Sequence, residues 1–175
     1  MTRTIFKFFV AFSLTFLSFG TNTTHQSNST SGFVEDYHHR TKEFQCIREA
    51  LYYEARGESE EGIRSVLSVI YNRKQAKGFP ESYCGVIHQK LQFSYRNGTQ
   101  PGIHLEIKPV KQLDHKAYAL VSSIAEEAAY GRFKPVLGPN VLWYHTKEVK
   151  PRWSRFMQKV KTVANHHFFA KKETK

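Results

Sequence analysis

Several residue types that mark common protein classes are scarce in this chain of 175 residues. It has only two cysteines, Cys46 and Cys84, and their spacing matches no four-ligand zinc pattern, so no metal and no other cofactor is predicted. Acidic residues are few: 15 Asp and Glu stand against 26 Lys and Arg. Internal repeats, zinc fingers, RNP-like motifs and basic repeats are absent, which argues against a nucleic-acid partner.

The composition is that of a globular, strongly basic protein. Apolar residues make up 40% of the chain, including 14 Phe and 9 Tyr, which is enough for one domain with a core. The formal net charge of +11 favours a polyanionic partner. For an exported protein the anionic cell envelope is the better candidate, although the dispersed charges also fit a merely soluble surface. We expect a monomer.

The N-terminus has the pattern of an export signal. Arg3 and Lys7 precede an apolar run over residues 8–19, and Ser18-Phe19-Gly20 supplies small residues at a cleavage site. Residues 1–20 are therefore predicted to be a secretory signal peptide, with an uncleaved N-terminal anchor as the alternative, although the run is short for a membrane span. The protein would reach the periplasm or the cell wall.

The remaining chain divides by composition. Residues 21–41 begin with a stretch rich in Thr, Asn and Ser and are predicted to be a flexible linker. Residues 42–170 are predicted to form the folded domain, and residues 171–175 a disordered tail. In an oxidising compartment one Cys46–Cys84 disulfide is the simplest interpretation, and two free buried thiols are the alternative.

Glu54 is the first candidate for a reactive residue. An apolar stripe at helical spacing runs through Phe44, Ile47, Leu51 and Ala55. Glu54 projects from the buried side of this stripe, close to a helix end at Gly57. Burial disfavours a charged carboxylate and raises its pKa, which suits a general acid. The alternative is an ordinary helix glutamate paired with Arg56 or another basic residue.

Further helices follow. Ser59 is a good N-cap for a second helix, whose apolar positions form the clearest amphipathic pattern of the chain. A short third helix is predicted over residues 81–89. Pro109 fits the first turn of a fourth helix, and Gly131 marks its end.

Strand patterns appear only toward the C-terminus. Residues 141–145 are predicted to be a strand, and Pro151 to start a short helix that carries Met157 and Val160. Residues 162–169 have the β-branched and aromatic content of a second strand that could pair with the first. The expected fold class is therefore α+β, mostly α, with a small C-terminal β-hairpin.

An ordered set of motifs carries a resemblance to a known family. The motifs are Tyr52-Tyr53-Glu54-Ala55-Arg56-Gly57-Glu58, Glu61-Gly62, Asn72-Arg73, Phe79-Pro80, Cys84-Gly85-Val86-Ile87, Gln92-Phe93-Ser94, Tyr144-His145, Pro151-Arg152-Trp153 and Val163-Ala164-Asn165-His166-His167-Phe168-Phe169. With them the chain resembles, from about Cys46 to Phe169, the spore cortex-lytic enzyme family of bacterial and phage cell wall hydrolases.

The resemblance implies a lysozyme-like catalytic domain that acts on peptidoglycan glycan strands. The implied reaction is lytic transglycosylation between N-acetylmuramic acid and N-acetylglucosamine, which leaves a 1,6-anhydro sugar, with Glu54 as the catalytic glutamate. Two segments depart from the family pattern: Leu137-Gly138-Pro139-Asn140 lacks the usual turn before the Tyr-His strand, and Ala164 and Asn165 replace the usual Gly and its neighbour. The sugar-contacting edge is expected to differ there.

Other polar and aromatic side chains are predicted to contact the substrate. These are Glu58, Gln92, Phe93, Ser94, Tyr144, His145, Trp153 and His166. Each has a structural alternative: Glu58 could pair with Arg56 or Arg73, and Trp153 could belong to the core. His145 and His166 could suggest a metal pair, but no third ligand has a suitable spacing.

Three other activities stay open at the level of sequence. If Glu58 faced the cleft, muramidase-type hydrolysis with two carboxylates would be favoured. An N-acetylmuramoyl-L-alanine amidase would need zinc ligands that the sequence does not supply. A non-catalytic envelope-binding module would not need a carboxyl group on its apolar stripe. A cell's own wall-remodelling enzyme and a phage lysis enzyme (endolysin) would share all of these features.

Overall fold

The computed structural model describes residues 28–99, 103–105, 107 and 112–172; the predicted signal peptide lies outside them. The elements in chain order are α1 (Asn28–Ala55), α2 (Glu60–Gln75), α3 (Tyr83–Ile87), a 3-10 turn (Ser94–Arg96), α4 (Gln112–Ala129), β1 (Val141–Thr146), a second 3-10 turn (Arg152–Phe156), β2 (Met157–Val163) and β3 (His166–Lys171). This confirms a mostly helical α+β domain. No helix in the described part of the chain is both long and apolar enough to cross a membrane.

The helix α1 begins earlier than the sequence predicts. Residues 28–41 are helical, which corrects the predicted flexible linker over residues 21–41, of which residues 21–27 lie outside the described part. Side chains 31–39 are exposed, so local contacts such as the Arg40–Asp36 ion pair, 2.8 Å long and one turn apart, support this half. An unpacked helix needs no apolar periodicity, and for that reason the sequence pattern did not reveal it.

The second half of α1 carries the predicted apolar stripe. Ile47 and Leu51 are fully buried and Ala55 is 2% exposed. They share one core with the inward faces of the neighbouring helices, namely Ile63, Val66, Leu67 and Ile70 of α2 and Val121, Ile124 and Ala128 of α4. The predicted cap is also present, because the Ser59 hydroxyl accepts a hydrogen bond from the Gly62 N–H at 3.3 Å.

The short helix α3 is fastened to α1. Cys46 and Cys84 form the predicted disulfide. Glu43 of α1 is 5% exposed and accepts hydrogen bonds from the backbone N–H groups of Tyr83 at 2.6 Å and Cys84 at 3.3 Å. A buried carboxylate thus satisfies the first free donors of α3.

The sheet contains the predicted antiparallel pairing of residues 141–145 with the segment 162–169, and a third strand that the sequence did not predict. The order is β1-β3-β2 with antiparallel neighbours, so β3 is central. Met157 and Val160, which were predicted to be helical, lie in β2, and the predicted strand over residues 162–169 is interrupted by a turn at Ala164, whose φ is 46°. Because β2 is an exposed edge strand, it lacks the alternating apolar pattern of a half-buried strand. β3 continues through Lys171, the first residue of the predicted tail.

Two side chains of α2 hold β1 against the helices. The Asn72 amide donates hydrogen bonds to the carbonyls of Gly138 at 2.8 Å and Val141 at 3.1 Å. Arg73 donates from Nε to the Leu142 carbonyl at 2.8 Å. Buried polar groups that bind backbone carbonyls fix the position of a strand, and here they place β1 beside the end of α1.

Candidate active site

Glu54 lies in the last turn of α1 and faces β1. The Tyr144 hydroxyl donates a hydrogen bond to Glu54 Oε2 at 3.2 Å. Burial raises the pKa of Glu54, and the hydrogen bond from Tyr144 acts against that rise. The helix end acts in the same direction as burial, because the negative end of the helix dipole disfavours a carboxylate. The carboxyl group therefore combines a raised pKa with a fixed orientation.

Tyr144 keeps the proton that it shares with Glu54. Burial, followed by the charge of Glu54, raises the pKa of Tyr144 well above its ordinary value. The Arg73 guanidinium lies close enough to oppose that shift, and burial lowers its own pKa. Since the phenol stays protonated, it acts as a hydrogen-bond donor to Glu54 at any ordinary pH.

Behind Tyr144, the inner face of the sheet carries His166. The rings of Tyr144 and His166 meet edge to face, with centroids 5.3 Å apart. His166 is 2% exposed, and burial lowers its pKa, although the charges of Glu58 and Glu148 act in the opposite direction. A side chain this buried presents no surface to a glycan, which corrects the predicted substrate contact.

Glu58 faces the sheet. Its Oε1 lies 3.5 Å from His166 Nδ1, and its Oε2 accepts a hydrogen bond from the Asn165 N–H at 3.2 Å. The partners named from the sequence, Arg56 and Arg73, are not the ones it contacts here. Glu58 thus joins the corner between α1 and α2 to the turn between β2 and β3.

His145 and Trp153 lie on the other face of the sheet. Adjacent strand residues point to opposite faces, so His145 points away from the face that carries Tyr144. The His145 ring stacks on Phe169 at 4.9 Å, and the Trp153 ring meets both, at 5.6 and 5.4 Å. The structure therefore does not bring His145 and Trp153 together with Glu54. It also separates His145 from His166, the pair considered for a metal.

The segment around Gln92 also contains both exposed and buried residues. Gln92 and Ser94 are exposed, whereas Phe93 is 2% exposed and belongs to the core, which corrects its predicted contact with sugar. Tyr95 follows Ser94 and lies close enough to Glu54 to interact with its charge. Burial is the largest cause that raises the pKa of Tyr95, and the charges of Glu49 and Glu54 raise it further. Gln92 and Ser94 thus precede a tyrosine that lies on the Glu54 side of the molecule.

Sequence reasoning missed an aromatic pair beside Glu54. Tyr53 is 38% exposed and stacks on Tyr95, with ring centroids 4.8 Å apart and an interplanar angle of 17°. An exposed tyrosine face next to a carboxylic acid suits the apolar face of a sugar. The Tyr52-Tyr53-Glu54 sequence was the feature that could have indicated this pair. Helical spacing alone, however, does not show which of the two tyrosines stacks on another ring.

Metal-binding side chains converge elsewhere in the described part of the chain. Cys46, His88 and His104 place one potential ligand atom each within 4.8 Å of the others. Cys46 precedes Glu54 by eight residues, or about 12 Å along a helix. This cluster is separate from the Glu54 carboxyl group.

A family model described as Cell Wall Hydrolase matches residues 57–169, well over half of the chain. The chain belongs to the cell wall hydrolase family. It is therefore an enzyme of cell wall degradation, as the ordered motifs predict. The match to the cell wall hydrolases begins at Gly57, so Glu54 lies outside it, and its assignment depends on the geometry described above.

Two solved structures are similar to the chain. The catalytic domain of the germination-specific lytic transglycosylase SleB from Bacillus anthracis is 24% identical and has a TM-score of 0.51, covering 73% of this chain and 93% of that one. The catalytic domain of SleB from Bacillus cereus is 22% identical, with a TM-score of 0.49 and coverage of 74% and 90%. The first likeness shows the fold and confirms the predicted lysozyme-like architecture. The curated proteins contain no match to this cell wall hydrolase.

Proposed function

We propose that the chain is a peptidoglycan lytic transglycosylase in which Glu54 acts first as the acid and then as the base. Membership in the cell wall hydrolase family supports peptidoglycan as the substrate. The description of the Bacillus anthracis structure as a lytic transglycosylase supports the reaction type. The observation that carries the proposal is the Glu54 carboxyl group, whose pKa is raised by burial and which is oriented by Tyr144.

The reaction needs one carboxyl group in two protonation states. Protonated Glu54 donates its proton to the glycosidic oxygen as the bond from muramic acid C1 breaks, which leaves an oxocarbenium-like carbon. The resulting carboxylate then takes the proton from the sugar's own 6-hydroxyl while O6 bonds to C1. The 1,6-anhydro ring forms and Glu54 recovers its proton. Because the attack is intramolecular, proximity assists it and no positioned water is needed.

Tyr144 suits both halves of this cycle. Its hydroxyl donates a hydrogen bond to Glu54 Oε2, so in our proposal Oε1 is the oxygen that contacts the substrate. The bond favours the carboxylate, whereas burial favours the neutral acid, and the two effects oppose each other. Because each form of the carboxyl group is favoured by one of these effects, we infer that it both releases and recovers a proton during one turnover.

The contacts of Glu58 favour a single-carboxylate mechanism over hydrolysis. Glycosidases that hydrolyse their substrate use a second carboxylate as nucleophile or base. Glu58 is the nearest carboxyl group along the chain; its Oε2 accepts a hydrogen bond from the Asn165 N–H, and its Oε1 faces the buried ring of His166. In our proposal it supports the site and does not act on the sugar.

The substrate would lie along Tyr53 and Tyr95, with Gln92 and Ser94 as exposed hydrogen-bonding groups. Peptidoglycan is an anionic polymer, and the formal net charge of +11 would favour its approach. The protein would work outside the cytoplasm, in the periplasm or cell wall. The Cys46–Cys84 disulfide supports this location, because such bonds persist in oxidising compartments.

The deciding experiment is digestion of purified peptidoglycan followed by mass spectrometry of the fragments. Muropeptides that end in anhydro-muramic acid, one water lighter than reducing fragments, are the expected result. Reducing-end muramic acid would establish hydrolysis instead, and released stem peptides would establish an amidase. Binding to the wall without any cleavage would favour the non-catalytic module and overturn the proposal.

A further inference from the structure

The cluster of Cys46, His88 and His104 lies where α1 meets α3. Cys84, the disulfide partner of Cys46, lies in α3, and His88 follows it by four residues at the end of that helix. Residues four apart project from the same helix face, so Cys84 and His88 both point toward Cys46. Two sulfurs and two imidazoles thus meet at one junction of the fold.

The distance between Cys46 Sγ and His88 Nε2 matches that between two ligands of a tetrahedral metal site. Zinc binds sulfur at about 2.3 Å and imidazole nitrogen at about 2.0–2.1 Å, so tetrahedral geometry separates the two ligand atoms by about 3.6 Å. Cys46 Sγ and His88 Nε2 are 3.7 Å apart. His104 completes a group whose three ligand atoms all lie within 4.8 Å of one another. Cys84 Sγ is not part of this three-atom group, because it is bonded to Cys46 Sγ in this structure; reduction would free it to turn toward the same ion.

His104 has the surroundings of a zinc-bound histidine. Its Nδ1 is buried, has no hydrogen-bond partner among the described residues, and lies 3.6 Å from Glu49 Oε2. Glu49 is held in place by Arg96 and by the Leu105 N–H at 2.9 Å. Histidines that bind zinc through one nitrogen commonly direct the other N–H at a carboxylate, which fixes the ring. Binding through Nε2 would give His104 this arrangement.

His88 is suited to the same role. Its Nε2 lies 3.7 Å from Cys46 Sγ, and the centroid of its ring lies 5.9 Å from that of His104. The ring is therefore placed to offer a nitrogen to an ion shared with both residues.

We propose that, in the reduced chain, Cys46, Cys84, His88 and His104 bind one Zn²⁺, and that closure of the disulfide expels it. Binding would release two thiol protons. On oxidation by a small disulfide, each cysteine sulfur gives up one electron, the Cys46–Cys84 bond forms, and the small disulfide takes up two electrons and two protons to become two thiols. Disulfide sulfur carries no negative charge, so only the two imidazoles would remain and the metal would leave.

The site would serve the chain before its disulfide forms. Zinc would join α1 to α3 at the place where the disulfide later joins them, and it would keep both thiols from other partners. Metal binding that requires the folded arrangement stabilises that arrangement. This inference is independent of Glu54 and of the proposed function.

The test is a titration with Co²⁺ of the full chain, reduced with a phosphine in the absence of oxygen. We expect one equivalent to bind, with the strong visible bands of tetrahedral cobalt and a thiolate-to-metal charge-transfer band. Zn²⁺ should displace the cobalt, since it binds such sites more tightly. The oxidised chain should show neither signal, and equal binding by the oxidised chain would overturn the proposal.

Variants identify the ligands. His88→Gln and His104→Gln should each weaken Co²⁺ binding at least ten-fold, whereas His115→Gln, on the exposed side of α4, should not. Far-UV circular dichroism of each reduced variant shows whether it is folded; a chain that unfolds without metal should refold when Zn²⁺ is added. An unchanged cobalt spectrum in both variants, or a reduced chain that neither binds cobalt nor refolds with zinc, would refute the site.

Discussion

Glu58 and His166 face each other where the helices meet the sheet, with Oε1 and Nδ1 3.5 Å apart. His166 in turn packs edge to face against Tyr144, whose hydroxyl donates to Glu54. The two glutamates of the Glu-Ala-Arg-Gly-Glu motif are thus the ends of one series of contacts that runs along the inner face of the sheet. Among the described residues, Glu54 Oε1 has no hydrogen-bond partner, whereas Glu58 holds the turn between β2 and β3 through the Asn165 N–H.

Glu58→Gln should therefore reduce activity only moderately. The amide oxygen can still accept from the Asn165 N–H, and burial lowers the pKa of the facing His166 ring, so we expect a loss of less than about 1 kcal/mol of unfolding free energy. We expect kcat on purified peptidoglycan to fall less than about ten-fold, within what a weakened support would cause. Urea unfolding and initial rates measure the two effects, with Glu81→Gln at an exposed position as the control. A loss of activity as large as that of Glu54→Gln, at unchanged stability, would make Glu58 a second catalytic carboxylate.

Glu54→Gln should abolish cleavage while leaving wall binding intact. Loss of a general acid typically costs about 10²–10⁴-fold in rate, and glutamine keeps the oxygen that accepts from Tyr144. Rates of muropeptide release and co-sedimentation with purified wall separate the two effects. Cleavage by this variant at a rate close to wild type would remove Glu54 from the mechanism.

The same substitution should stabilise the fold above neutral pH. Because burial raises the pKa of Glu54 above its ordinary value of 4.5, the folded chain holds more protons than the unfolded chain between these two values. Stability then falls as the pH rises through that window, and glutamine removes the penalty. Thermal unfolding should show a higher Tm for Glu54→Gln at about pH 8, with a difference that shrinks toward about pH 4. A lower Tm at both pH values would contradict the buried acid.

Tyr144→Phe should move the pH profile toward higher pH. The hydroxyl lowers the pKa of Glu54, so its removal leaves burial unopposed and raises that pKa further. Since the free enzyme must be protonated at Glu54, the alkaline limb of kcat/KM should shift upward, with a lower maximum because the carboxyl group is less well oriented. Tyr37→Phe, at an exposed site on α1, serves as the control. An alkaline limb that stays in place would separate Tyr144 from the acid.

Gly62→Ala should destabilise the domain, although alanine favours helix by about 1 kcal/mol. A Cβ at this position would lie 2.8 Å from Glu58 Cβ and 3.4 Å from Ala164 Cβ, where α2 passes under the turn between β2 and β3. We expect a net loss of about 1–3 kcal/mol in urea unfolding. Gly57→Ala is the matched control, because a Cβ there has no neighbour within 4 Å, and it should change stability by less than about 0.5 kcal/mol. Equal stability of the two variants would mean that Gly62 has no packing role.

Local periodicity was sufficient for the helical core. Ile47, Leu51 and Ala55 predicted the buried face of α1, and the Ser59 cap predicted the start of α2, since both depend on neighbours within one or two turns. The strands were harder. β2 is an exposed edge with lysines, so its pairing with β3 left no alternating pattern, and Met157 and Val160 were wrongly predicted to be helical.

The sequence by itself determined the helical scaffold, the cysteine pair, the family and the helix face on which Glu54 lies, because spacing along a chain defines the face of an element. Only the tertiary structure decided which side chains each face of a helix or strand contacts. Tyr144 and His145 are equally plausible neighbours of Glu54 by sequence, but β1 turns one toward the acid and the other toward Trp153. Likewise Glu58 meets His166, more than a hundred residues away, since a carboxylate can reach any partner that folding brings to it.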